Sequence, residues 1–139
     1  MSNEIPVNSS QFEVIRGMES FVQENLSKLL VPVYQSWQPS DLVPDMTKES
    51  WNDDLIEFRA RASALPDEVL VVLICDMVTE EALPSYQLWL NRLRGVTDIT
   101  GASANPWAQW SRGWTAEENR HGDLLNKYLY LSGRVDMRA

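Results

Sequence analysis

Between Pro66 and Gly133 apolar residues return every three or four positions, and each of the two longest stripes carries a carboxylate where hydrocarbon is expected. Val69, Leu73, Asp76, Glu80, Leu83, Gln87 and Leu90 make up the first stripe, and Trp107, Trp110, Trp114, Glu118, His121, Leu125 and Tyr128 the second. That spacing is one face of an α-helix. Burying an ionised carboxylate in such a face is unfavourable unless a metal, an arginine or a proton compensates its charge. The chain must therefore fold as packed helices and bring a partner to those acids.

The remaining segments agree with a helical reading. Phe12, Ile15, Met18, Val22, Leu26 and Leu29 predict a helix over 10–30, opened by a Ser10-x-x-Glu13 capping box. Pro32, Pro39 and Pro44 make 31–48 irregular, since each removes a backbone donor and restricts the residue before it. Ser50-x-x-Asp53 opens a shorter helix to Leu65, with Trp51, Leu55, Phe58 and Ala62 on one face. Pro66 begins a helix running to Arg94, bent near Ala82 by Pro84. After the turn-forming stretch from Gly95 to Asn105, Pro106 opens a last helix to about Ser132, with Gly133 as its stop. No segment alternates apolar and polar residues as a half-buried strand would, so the chain reads as all-α.

Composition narrows the function. The 139 residues suit one compact domain, 1–139, or part of a larger one. Twelve Lys and Arg against 20 Asp and Glu leave a formal charge of −8, which disfavours a nucleic-acid surface built on clustered cations. Cys75 is the only cysteine, and the apolar run from Leu70 to Cys75 suggests a buried, reduced thiol. That run is far shorter than the ~18–20 apolar residues of a membrane span. Met1 to Pro6 show no leader character, so the expected location is cytoplasmic, or an organelle after processing.

Glu118 and His121 are three residues apart on a helix, with Cβ atoms about 5–6 Å from each other, close enough to share a metal ion. The blander reading is a surface glutamate beside a capping or core histidine, or a buried ion pair. The preceding helix supplies a complement. If the two helices form an antiparallel hairpin about residue 100, Glu80 lies about 20 positions before the turn and Glu118 about 18 after it, nearly level. Spacing leaves both Glu80 and Glu81 open, with Glu80 better placed on the stripe. One Glu facing a Glu-x-x-His is half of the carboxylate-bridged di-iron site of ferritin-like four-helix bundles.

The wording is more specific than the spacing. Asp76-Met77-Val78-Thr79-Glu80-Glu81-Ala82-Leu83-Pro84-Ser85-Tyr86-Gln87, then Thr100-Gly101-Ala102-Ser103, then the long run from Trp114-Thr115-Ala116-Glu117-Glu118-Asn119-Arg120-His121-Gly122-Asp123 to Arg134-Val135-Asp136-Met137, closely resemble the soluble acyl-acyl carrier protein desaturases, the stearoyl type of plastids. Trp37-Gln38-Pro39 fits as well. The resemblance implies a ferritin-like di-iron bundle, of which this chain holds the N-terminal helices and the first two ligand-bearing ones. It implies insertion of a cis double bond into an acyl chain on acyl carrier protein, consuming O₂ and ferredoxin electrons. It further implies two irons in the complete enzyme, a homodimer, and the plastid stroma if the chain is a processed plant protein. Carried across by motif, Glu80 is a terminal iron ligand, Glu118 a bridging carboxylate and His121 the imidazole of the same iron. Asp76 and Arg120 stand as partners that orient the ligands, Trp37 as a tryptophan near the iron histidine, and Tyr86, Leu90 and Trp114 as lining of the acyl channel. Ordinary helix salt bridging accounts equally well for Asp76 and Arg120, and core packing for Tyr86, Leu90 and Trp114, while for Trp37 a core anchor is the preferred reading.

Departures accompany the likeness. A full site needs a second Glu and a second Glu-x-x-His, but the chain has one histidine, so as a fragment it would offer three ligands to one iron and catalyse nothing alone. With helices missing from its inner face it would tend to associate. Trp89 and Arg92 replace smaller or uncharged residues of many plant members. Val31 and Gln35 stand where those members carry basic residues, leaving Arg92 and Arg94 as candidates for docking acidic partners. The competing readings are another ferritin-like di-iron protein, such as a ferroxidase or hydroxylase, and a non-catalytic helical association module.

Overall fold

The computed structural model describes residues 5–138. Residues 1–4, on which most of the leader reading rests, and residue 139 lie outside the described residues. Among the described residues the fold is helical: α1 (Ser9–Gly17), α2 (Glu19–Leu29), α3 (Trp51–Ser63), α4 (Asp67–Glu81), α5 (Leu83–Leu90) and α6 (Pro106–Ser132), with 3₁₀ turns at Val33–Gln35 and Pro39–Asp41. Among the described residues the sole extended pairing is an isolated parallel bridge between Ile5 and Leu93. The all-α expectation holds.

Several boundaries differ from the sequence reading. The helix expected over 10–30 is two, because Met18 caps the end of α1 and the start of α2. The capping box belongs to Asn8 and Gln11 rather than Ser10 and Glu13: Gln11 N–H donates to Asn8 Oδ1 at 2.8 Å and Asn8 N–H to Gln11 Oε1 at 3.1 Å. Asn caps as well as Ser, and glutamine closes the box as well as glutamate. Ser50 makes no capping bond to the backbone of α3; its hydroxyl donates to Asp54 instead. The break at Ala82 stands as expected, but α5 ends at Leu90 rather than Arg94, where turns begin. Cys75 is exposed, not buried. Helix α4 is apolar on nearly every side, so its apolar run cannot tell which flank is covered, and Val71, Val72 and Val78 are exposed too.

The chain divides into two compact units. One combines the described part of Met1–Ser36 with Leu83–Glu117. Val22, Leu83, Val96 and Ala108 are buried there. Trp107 Nε1 donates to the Ile15 carbonyl at 2.9 Å, and Val31 N–H to Glu117 Oε1 at 2.8 Å. Gln87 Oε1 accepts from the hydroxyls of Ser111 and Thr115. In the loop ahead of α6, buried Asp98 pairs with Arg112, whose guanidinium also donates to the Ser103 carbonyl at 2.8 Å.

The other unit combines Trp37–Ala82 with Glu118–Ala139. Phe58, Ala62, Leu70 and Leu129 are buried in it, and Phe58 meets Tyr128 edge to face at 5.2 Å. Arg134 ties α6 to the start of α4, donating to the carbonyls of Ala62 and Leu65 and to Asp67. At the opposite end of α4, Asn126 Nδ2 donates to Glu81 Oε1 at 2.7 Å. Asp67 with Arg134 and Glu81 with Asn126 make α4 and this part of α6 antiparallel. Gly133 stops α6 at φ +67°, a left-handed turn that glycine adopts without a Cβ clash.

Candidate metal centre

The second unit brings Glu80, near the end of α4, against Glu118 and His121 of α6. His121 Nδ1 lies 2.8 Å from Glu118 Oε2 and 4.0 Å from Glu80 Oε2. One donor atom from each of the three lies within 4.8 Å of the others. Their side chains are 30, 26 and 46 % exposed for Glu80, Glu118 and His121, so the cluster sits at a partly open edge. Glu118 and His121 stand three positions apart along the helix, which puts both on one face of α6.

Two features set the approach of Glu80. The Glu81 carboxylate accepts from Asn126, while the neighbouring Glu80 faces the histidine. Gly122 is buried, and a Cβ there would stand 3.3 Å from Glu80 Cβ and 3.4 Å from its carbonyl carbon. The α6 backbone thus runs directly against the residue that supplies the third donor. Sequence reasoning passed over both. The signal for Gly122 was a glycine inside a long helix, a placement costing about 1 kcal/mol relative to alanine and therefore calling for a packing reason.

The donor chemistry suits a cation. Two carboxylates converge on one imidazole, so negative charge is in excess over what the three residues cancel among themselves. Carboxylate oxygen and imidazole nitrogen bind a first-row divalent ion at about 2.0–2.2 Å, so opposed donors sit about 4.2 Å apart, comparable to the span seen here.

The other residues singled out by sequence are spread more widely. Trp37 stacks on His121, with ring centroids 5.9 Å apart and planes 11° from parallel. The Arg120 guanidinium carbon is 5.8 Å from the Trp37 ring centre. Asp76 is exposed on α4. Tyr86, Leu90 and Trp114 belong to the first unit, where Tyr86 is exposed and Leu90 and Trp114 are half-buried. Trp114 stacks on Trp110, which meets Trp107 edge to face.

Residues 10–139 match the fatty acid desaturase family. The chain belongs to that family. Its helical architecture is the ferritin-like one of these desaturases, and membership implies iron chemistry in general. Among curated desaturases it is similar to the chloroplastic acyl-[acyl-carrier-protein] desaturase of Cucumis sativus, 59 % identical over 92 % of this chain and 32 % of that protein. It is likewise similar to the chloroplastic stearoyl-[acyl-carrier-protein] 9-desaturase 1 of Oryza sativa subsp. japonica, 60 % identical over 91 % of this chain and 33 % of that one. The chain spans about a third of the length of the curated desaturases it matches. No helix among the described residues is long and apolar enough to cross a membrane.

Proposed function

We propose that this chain is the N-terminal, ligand-bearing part of a single ferritin-like domain of an acyl-[acyl carrier protein] desaturase. In this reading Glu80, Glu118 and His121 hold one of two irons, and the second Glu and Glu-x-x-His of the complete site come from elsewhere in the protein. The complete enzyme converts two adjacent methylenes of an acyl chain into a cis double bond, reducing O₂ to two waters with those two hydrogens, two electrons delivered by ferredoxin and two protons from solvent. An iron pair, when bound, supplies the activation of O₂ that such unreactive C–H bonds require. The residues of this chain contribute placement: Glu80 from α4 and the Glu118–His121 pair from α6 offer oxygen and nitrogen donors suited to hard, redox-active iron.

The observation that carries the reading is the meeting of those three donors in a chain about 60 % identical to named desaturases. The acyl carrier protein substrate and the plastid stroma follow from what those relatives are, and the homodimer from the family likeness. To test the reading, the chain is joined to the remaining two thirds of the Oryza relative and expressed with ferredoxin and an acyl carrier protein. Gas chromatography should then reveal a monounsaturated product, lost in Glu118→Ala and His121→Ala. Saturated chains alone, with ferrous iron oxidised at a comparable rate, would favour a ferroxidase instead.

A further inference from the structure

We infer that Trp37 is a positioning residue for His121, its indole holding the imidazole in the orientation that aims Nδ1 at Glu118 and Glu80. The inference rests on reading those three side chains as metal ligands. The terminal torsion of histidine is broad and roughly two-fold, so one hydrogen bond does not lock the ring. His121 is also 46 % exposed. The face of Trp37 lies against its ring, 5.9 Å away and within 11° of parallel, inside the range where ring pairs attract.

The indole is itself held from two directions. Pro39 follows the next residue and restricts Gln38 to extended backbone, observed at φ −119° and ψ 150°. Gln38 N–H donates to Asp41 Oδ2 at 2.7 Å, Asp41 N–H returns to the Gln38 carbonyl at 2.9 Å, and Pro39 is buried. Trp37 thus emerges from an anchored turn. On the α6 side, the Arg120 guanidinium lies 5.8 Å from the same indole, within cation–π range. Successive residues Arg120 and His121 therefore address one ring. Trp37 is 37 % exposed. The Trp-Gln-Pro wording gains a physical reason: an aromatic face, a residue forced extended, and a proline that seats the turn.

His121 is the only histidine, so its imidazole proton resonances are unambiguous in the full chain. In the metal-free wild type they should lie upfield of free imidazole through the indole ring current. The displacement should vanish in Trp37→Leu and persist in part in Trp37→Phe. Titration with Co(II) alone should show affinity lowered about ten-fold in Trp37→Leu, the scale of losing a ligand's supporting contact, and largely restored in Trp37→Phe. Undisplaced wild-type resonances, or a Trp37→Leu chain that binds Co(II) as tightly as wild type, would overturn the inference. The wild-type measurement and Trp37→Phe decide the matter even where Trp37→Leu does not fold. A wild type that takes up no Co(II) would instead sink the metal reading, and the ring-current measurement is independent of it.

Discussion

In the loop ahead of α6, Asp98 is buried and meets Arg112 and the Ser103 N–H, so its charge is cancelled within its own unit. At the end of α4, Glu80 and Glu118 share a single imidazole and stay partly open. Both places put acids among helices, but one is a closed ion pair and the other an excess of negative charge. The electrostatics separate them further. Burial alone would raise the Asp98 carboxyl, and it is the largest single influence. The Ser103 N–H, the Arg112 hydrogen bond, the Arg112 charge and the Gly101 N–H together outweigh it and hold the group below its usual 3.8. A protein that needs an acid only for architecture supplies the counter-charge itself. Two carboxylates converging on one imidazole suit a cation from outside, as in the proposed function.

This contrast can be broken most forcefully at Arg112. Arg112→Ala strands Asp98 in the interior, and stability in urea should fall by about 3 kcal/mol, at the lower end for a broken buried pair because Arg112 is partly exposed. Asp98 should also leave a mark in acid. A carboxyl depressed in the folded state stabilises fully above its unfolded value near 3.8 and loses that contribution as pH drops through the lower folded value. Asp98→Asn should therefore lose stability at neutral pH and show a shallower decline below pH 3.8 than wild type.

Gly122→Ala sharpens the comparison from the other side. The added methyl would press on Glu80 backbone and Cβ, which have little room to give, at about 1–3 kcal/mol for overpacking, against about 1 kcal/mol regained from helix propensity. A net loss of about 1 kcal/mol is expected in thermal unfolding, with weaker Co(II) binding. The smallest effect belongs to Glu80→Gln. Removing one of two facing carboxylates at an open edge should leave the metal-free chain unchanged or up to about 0.5 kcal/mol more stable, the opposite sign to Asp98→Asn, while abolishing tight Co(II) uptake. Destabilisation by Glu80→Gln would erase the distinction drawn between the two places.

What the sequence made legible follows the range of the interactions. Helix α6 runs from Pro106 to Ser132 as expected, since proline at its start and glycine after its end are local signals. The break at Ala82 was readable for the same reason. The level meeting of Glu80 with Glu118 could be anticipated because helical rise is fixed and two positions suffice to set it. Harder to see were features that depend on what lies across a gap. Gly17 stands just before the Met18 junction, but the apolar spacing runs through it unbroken and hid the break between the two helices. Asn126 capturing Glu81 pairs residues 45 positions apart, and nothing near either names the other. Cys75 was misread because a helix apolar all round carries no directional pattern.

Gly122 bears on anyone wishing to transplant this cluster to an artificial scaffold. Copying Glu80, Glu118 and His121 onto two designed helices without the glycine would put a side chain 3.3 Å from the Glu80 Cβ and press the two backbones apart. The missing side chain is a component of the graft, as necessary to carry over as the donors.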